Sequence, residues 1–147
     1  MPNLRPLLLV EDNPNDVELT VNALQEARLV NTIDVVNDGE QALDYLFRRG
    51  AYAHQTGPLP AVILLDLKMP KVDGHEVLRA IRADPVLRLT PVVMLTSSRE
   101  ESDLYRSYES GANAYVVKPV GFEDFVAAIN QLGFFWALLN EPPPARP

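Results

Sequence analysis

Val62-Ile63-Leu64-Leu65-Asp66 sets a carboxylate directly after four apolar residues. A run of this length, rich in branched aliphatic residues, reads as a strand buried on both faces of a parallel sheet. Three other runs have the same form. Leu7-Leu8-Leu9-Val10 stops at Glu11-Asp12, Val92-Val93-Met94-Leu95 stops at Thr96, and Tyr115-Val116-Val117 stops at Lys118-Pro119. In an open α/β sheet, ligands bind in the crevice beyond the carboxyl ends of the strands. If the four runs lie side by side, three acids, a hydroxyl and an ammonium converge there.

The segments between the runs read as helices. Asn13-Pro14-Asn15 is a cap, with Val17, Val21, Leu24 and Arg28 at helical spacing and the acids Asp16 and Glu18 in a favourable first turn. Ile33, Val35 and Val36 predict a further short strand. Asp38-Gly39 breaks it, and Ala42, Leu43, Leu46 and Phe47 stripe the next helix. Residues 48 to 60 carry Gly50, Gly57, Pro58 and Pro60 and read as a loop. After the turn-rich Met69-Pro70-Lys71-Val72-Asp73-Gly74, a helix with Val77, Leu78 and Ile81 inward stops before Pro85. Ser98 and Glu101 form a capping box for a helix bearing Leu104, Tyr105 and Tyr108, with Gly111 as its stop. A last helix carries Phe122, Phe125, Ile129 and Leu132. Five alternating β/α units predict a doubly wound, five-stranded parallel sheet of the flavodoxin-like kind, with helices on both faces.

Composition narrows the function. A chain of 147 residues fits one domain, and a net charge of −7 disfavours nucleic acid as partner, because a DNA-binding face needs a basic surplus. The absence of cysteine excludes disulfides, Cys-ligated zinc and thiol catalysis. His54 and His75 stand in separate segments and read as surface imidazoles. No stretch approaches the ~20 apolar residues of a spanning helix, and the N-terminus lacks a secretory pattern, so a cytoplasmic protein is expected.

Each candidate residue has a plain reading beside the chemical one. Glu11 and Asp12 at a strand-to-helix turn are a common solvated pair, or ligands for a hard cation such as Mg²⁺. Asp66, at the edge of a core, needs a partner or a metal to offset its burial. A structural Asp66–Lys118 ion pair would satisfy it but leave the acid pair unexplained. Thr96 suits a strand by its branching and also suits hydrogen bonding to a phosphoryl oxygen. Lys118 can supply a point charge to another such oxygen.

Taken together, Glu11-Asp12, Asp66 in LLDLKMPKVDG, Thr96 in MLTSS and Lys118 in GANAYVVKPV resemble a response-regulator receiver domain, the phosphorylated module of two-component signalling. The resemblance covers roughly residues 5 to 132 as a receiver domain. It leaves 133 to 147 as a C-terminal helix extension and Pro-rich tail. It implies that Asp66 is the phosphoacceptor and that Glu11, Asp12, Asp66 and the Lys68 backbone carbonyl hold Mg²⁺. Thr96 and Tyr115 would be the switch pair, and Lys118 the phosphate-binding lysine. Glu11 for Asp is a common variation in the family. The chain is similar to single-domain regulators that partner bacterial phytochrome kinases, so a sensor histidine kinase is the expected partner. Such a regulator is a signalling phosphoacceptor, not an enzyme acting on external substrates.

Haloacid-dehalogenase-type phosphatases also place an aspartyl nucleophile after a buried strand, but carry an acid two residues later; here that position is Lys68. Neither glycine-rich nucleotide-binding loop is present. A receiver that has lost phosphorylation and serves only as an interaction module is the third alternative. Phe134, Phe135, Trp136, Leu138 and Leu139 offer more apolar surface than one helix end needs to bury. Homodimerisation through Phe134, Phe135, Trp136 and Leu139 is expected, with folding back onto the domain as the alternative.

Overall fold

A computed structural model of the chain describes residues 5–26, 31–97, 109, 111–118, 121, 123–124 and 126–127. In chain order the elements are β1 (Leu7–Val10), α1 (Pro14–Glu26), β2 (Ile33–Val36), α2 (Gly39–Phe47), β3 (Val62–Asp66), α3 (Gly74–Ala83), β4 (Val92–Thr96) and β5 (Ala114–Val117). The five strands are parallel and ordered β2-β1-β3-β4-β5. The predicted sheet is therefore present, and all four chemistry-bearing runs end at one edge. The helix expected from the Ser98–Glu101 box, the residues Phe122, Phe125, Ile129 and Leu132, and the extension after 132 lie outside the described residues.

Strand alternation divides the core between the two faces of the sheet. Leu7, Leu9, Val62, Leu64, Val93, Leu95 and Val116 pack with Ala23 and Leu24 of α1. Leu8, Val10, Ile63, Leu65, Val92 and Met94 pack with α2 and α3 through Ala42, Tyr45, Leu46, Val77, Leu78 and Ile81. β1, β3 and β4 are buried along their whole length, which is why they read as unbroken apolar runs.

Helix entries follow their caps. Asn13 Oδ1 accepts from the backbone N–H of Asn15 at 2.9 Å and of Asp16 at 3.2 Å, and Pro14 occupies the first helical position. Asp38 and Asp73 cap α2 and α3 by accepting from Gln41 N–H and Glu76 N–H.

In α1 the expected Val17, Val21 and Leu24 do face the core, Val17 and Val21 half-buried at its margin, and Thr20 and Ala23 are buried beside Leu24. Two readings of the inward faces change. In α2 the buried aromatic is Tyr45, whose hydroxyl donates to Asp34 Oδ2 at 2.6 Å, while Phe47 is 37% exposed. His75 is not a surface imidazole. It is 4% exposed, because it stands three residues before Leu78 on the inward face of α3.

The loop between α2 and β3 holds a 3₁₀ turn at Gly50–Tyr52, and Tyr52 packs edge-on to Tyr45 at 5.3 Å. On the other side, Arg82 closes a network that composition alone does not suggest. It donates to Gly111 O at 2.8 Å, Thr90 O at 2.7 Å and Asn113 Oδ1 at 2.7 Å, tying the end of α3 to the entrances of β4 and β5. Asn113 Oδ1 also accepts from Val92 N–H at 2.8 Å. Gly111, at φ 101°, takes a left-handed conformation suited to a helix stop.

The approach of α3 to β3 depends on Gly74. A Cβ there would collide with the carbonyl oxygen of Asp66 and lie 2.8 Å from Leu67 Cα, both backbone atoms that cannot swing away. Gly74→Ala is expected to cost about 1–3 kcal/mol in urea unfolding, the usual range for overpacking. Stability within error of the wild type would show that α3 is free to shift.

Candidate phosphoryl and metal site

Register assembles the site. Val10 pairs with Leu65, so Glu11 emerges beside Asp66; Asp66 pairs with Leu95, and Thr96 with Val117. Beyond the ladder, Leu67 N–H donates to Leu95 O at 2.8 Å and Lys118 N–H to Thr96 O at 2.7 Å. Leu9, Leu64 and Val116 face α1. Two residues further on, Glu11, Asp66 and Lys118 point the same way by strand alternation. Thr96, two after Met94, belongs to the opposite face, as does Tyr115, which packs half-buried against that core.

Lys118 is the hub. Its Nζ lies 2.6 Å from Glu11 Oε1, 3.1 Å from Asp66 Oδ1 and 3.1 Å from Asp16 Oδ2. Glu11 and Asp66 are buried, whereas Asp12 is exposed at the mouth. One carboxylate oxygen from each of Glu11, Asp12 and Asp66 falls within a 4.8 Å cluster, an arrangement that could hold a metal ion. The set suits a hard cation, being oxygen-only with one water-facing member. The fit rests on that donor set: Glu11 and Asp66 bring buried carboxylates to the cluster, and Glu11 Oε1 is ion-paired to the ammonium at 2.6 Å.

Among the described residues, carboxylates outnumber cations in this pocket. Burial first, then a hydrogen bond with Glu11 and the charge of Glu11, push the Asp66 carboxyl up to about 7, against the pull of Lys118. Burial alone would lower the Lys118 ammonium. The hydrogen bond with Glu11 and the charges of Asp66 and Glu11 outweigh it and hold the ammonium well above its ordinary range. Lys118 is therefore charged throughout the physiological range, and Asp66 bears the combined cost of burial and of the neighbouring Glu11 carboxylate.

Of the residues picked from the sequence, Glu11, Asp12, Asp66 and Lys118 are brought together, with Thr96 at the adjoining strand end. Lys68 is exposed just after Asp66. Asp16 was read only as a helix-favouring acid, yet it is an ion-pair partner of Lys118. The available signal was its spacing from Thr20 and Ala23, which puts it on the inward stripe of α1.

Residues 7–130 match the family model of the response regulator receiver domain. The chain belongs to that family. This receiver domain is similar to the solved bacteriophytochrome response regulator RtBRR, at 62% identity and a TM-score of 0.85, covering 96% of this chain and 85% of that one. The bacteriophytochrome response regulator AtBRR is 61% identical, with a TM-score of 0.85 and coverage of 95% and 100%. Response regulator Rcp1 of Synechocystis sp. is 37% identical over 130 residues, 88% of this chain and 87% of Rcp1. A crystal structure of the Mn²⁺-bound form of Rcp1 superposes with a TM-score of 0.75, at 35% identity and coverage of 97% and 99%. Among the described residues of the receiver domain, no helix is long and apolar enough to cross a membrane.

The raised Asp66 pKa predicts a pH dependence. The folded domain holds the Asp66 proton more tightly than the unfolded chain, whose value is near 3.8. The stabilisation from that proton is complete below 3.8 and is lost as pH rises through about 7. Metal-free wild type should therefore lose stability to urea across this window relative to Asp66→Asn, which keeps the shape without the charge. Parallel pH profiles for the two proteins would contradict the raised Asp66 pKa.

Proposed function

We propose that this receiver domain accepts a phosphoryl group on Asp66 from the phosphohistidine of a sensor histidine kinase. Its phosphorylated form then presents an altered surface to protein partners. The observation that supports this best is the placement of Asp66 Oδ1 3.1 Å from the Lys118 ammonium, inside the carboxylate cluster of Glu11 and Asp12.

In the proposed transfer, an Asp66 carboxylate oxygen attacks phosphorus in line, forming the P–O bond as the P–N bond breaks. The imidazole nitrogen leaves with the electron pair and takes a proton from solvent. The transition state of such transfers is loose, so positioning and charge neutralisation do most of the work. Glu11, Asp12, Asp66 and the Lys68 carbonyl would hold Mg²⁺, which when bound neutralises the surplus charge and polarises the phosphoryl group. Lys118 donates to a phosphoryl oxygen and stays charged throughout. The Thr96 hydroxyl, at the end of β4, is suited to follow the new oxygens inward. Tyr115, half-buried on the same face, would take up the space this leaves.

The solved regulators RtBRR and AtBRR carry bacteriophytochrome in their names, which supports a bacteriophytochrome as the partner kinase. The Mn²⁺-bound Rcp1 structure supports a divalent cation in the acidic pocket. We further place the protein in the cytoplasm, where such kinases phosphorylate their regulators. The receiver unit is taken as 5 to 132, with 133 to 147 as an extension whose apolar residues Phe134, Phe135, Trp136 and Leu139 pair two copies.

Intact-mass measurement after incubation with acetyl phosphate tests the phosphoacceptor. One added phosphoryl group is expected with Mg²⁺, and none in Asp66→Asn or after removal of divalent metal. Label retained by Asp66→Asn would overturn the assignment. Sedimentation tests the pairing surface: the full chain should be dimeric at micromolar concentration and a chain truncated after Leu132 monomeric. Identical behaviour of the two would remove the extension from the interface.

A further inference from the structure

An ammonium has three N–H donors, and three carboxylates surround that of Lys118. Two of them, Glu11 and Asp66, belong to the acceptor and metal set of the proposed function, on which this inference rests. Asp16 belongs to neither. Its carboxylate reaches Lys118 from the first turn of α1, 102 residues away in sequence, at 3.1 Å. Its backbone is fixed by Asn13 Oδ1, which accepts from Asp16 N–H at 3.2 Å. Its side chain is 27% exposed against 12% for Lys118 and 0% for Glu11, so Asp16 stands on the water side of the ammonium.

We propose that Asp16 is a positioning residue that draws Lys118 towards α1 and competes with the incoming phosphoryl oxygens for its ammonium, thereby setting how readily Asp66 is loaded. Two effects act with the same sign. A donor held by Asp16 has to be released before it can serve a phosphoryl oxygen. The Asp16 charge also adds to the negative field that an anionic phosphodonor meets at the mouth. Both vanish when the carboxylate becomes an amide of the same shape. Because the pair is partly exposed, the effect is that of one screened charge, about two- to fivefold in loading, and it weakens with salt.

The test compares the full-length wild type with Asp16→Asn and Asp16→Glu, following phosphorylation by acetyl phosphate with Mg²⁺ by intact mass over a range of donor concentrations. Asp16→Asn should reach half-loading at an acetyl phosphate concentration about two- to fivefold lower at low ionic strength, with the difference shrinking in high salt. Asp16→Glu, which keeps the charge, should stay near the wild type. Urea unfolding of the same proteins separates a purely structural ion pair, whose loss lowers stability without moving the half-loading concentration; that result overturns the inference. Slower or weaker loading of Asp16→Asn overturns it as well, since Asp16 would then assist Lys118. If the wild type loads at Asp66 and only the Asp16 effect is missing, the functional reading stands. If the wild type does not load, that reading falls and this inference falls with it.

Discussion

A single ammonium, that of Lys118, holds Glu11, Asp16 and Asp66 at the carboxyl edge of the sheet. Buried carboxylates are tolerated only when paired or coordinated. Among the described residues one cation serves three carboxylates, with Asp12 close by. Burial first, and then Glu11, push the Asp66 carboxyl up, while Glu11 and Asp66 hold the Lys118 ammonium charged against its own burial. A cluster of carboxylates of this kind is suited to recruit a divalent cation, and a lysine held charged across the physiological range is suited to meet a phosphoryl oxygen.

The fold contributes placement. Parallel register brings the ends of β1, β3, β4 and β5 into one row, and strand alternation turns Glu11, Asp66 and Lys118 to the α1 side. Thr96 and Tyr115 are turned to the other face, where they adjoin the layer of α2 and α3. A charge change on Asp66 is thereby in position to be felt on both faces of the sheet. Gly74, seated against the Asp66 carbonyl, and Arg82, tying α3 to the starts of β4 and β5, hold the scaffold around this row.

Much of this was legible in the sequence because parallel strands buried on both faces leave continuous apolar runs, and each of the four runs ended on a residue of the candidate site. Asp66 was conspicuous as an acid after Val62 to Leu65, and the acid pair and Lys118 followed the same rule. Asp16 was obscured because an acid in a helix's first turn has an ordinary electrostatic reason to be there. Its pairing depends on the buried Thr20 and Ala23 of α1, which share its line and give a weaker apolar signal than Val17 and Val21. His75 misled for a related reason: burial of an imidazole is decided by its place beside Leu78 on an inward face, not by residue type. The Arg82 network is invisible locally, since its acceptors are backbone carbonyls and an asparagine up to 31 residues away.

The central claim is that the carboxylate surplus around Lys118 is the seat of a divalent cation. Calorimetric titration of the full chain with Mg²⁺ at about pH 8 and again at about pH 5.5 tests it most directly, since ligand carboxyls have to be deprotonated to bind. The account predicts binding at the higher pH, weakened affinity at the lower pH as Asp66 takes up its proton, and a marked loss in Asp66→Asn. An affinity that is independent of pH and unaffected by Asp66→Asn would contradict it.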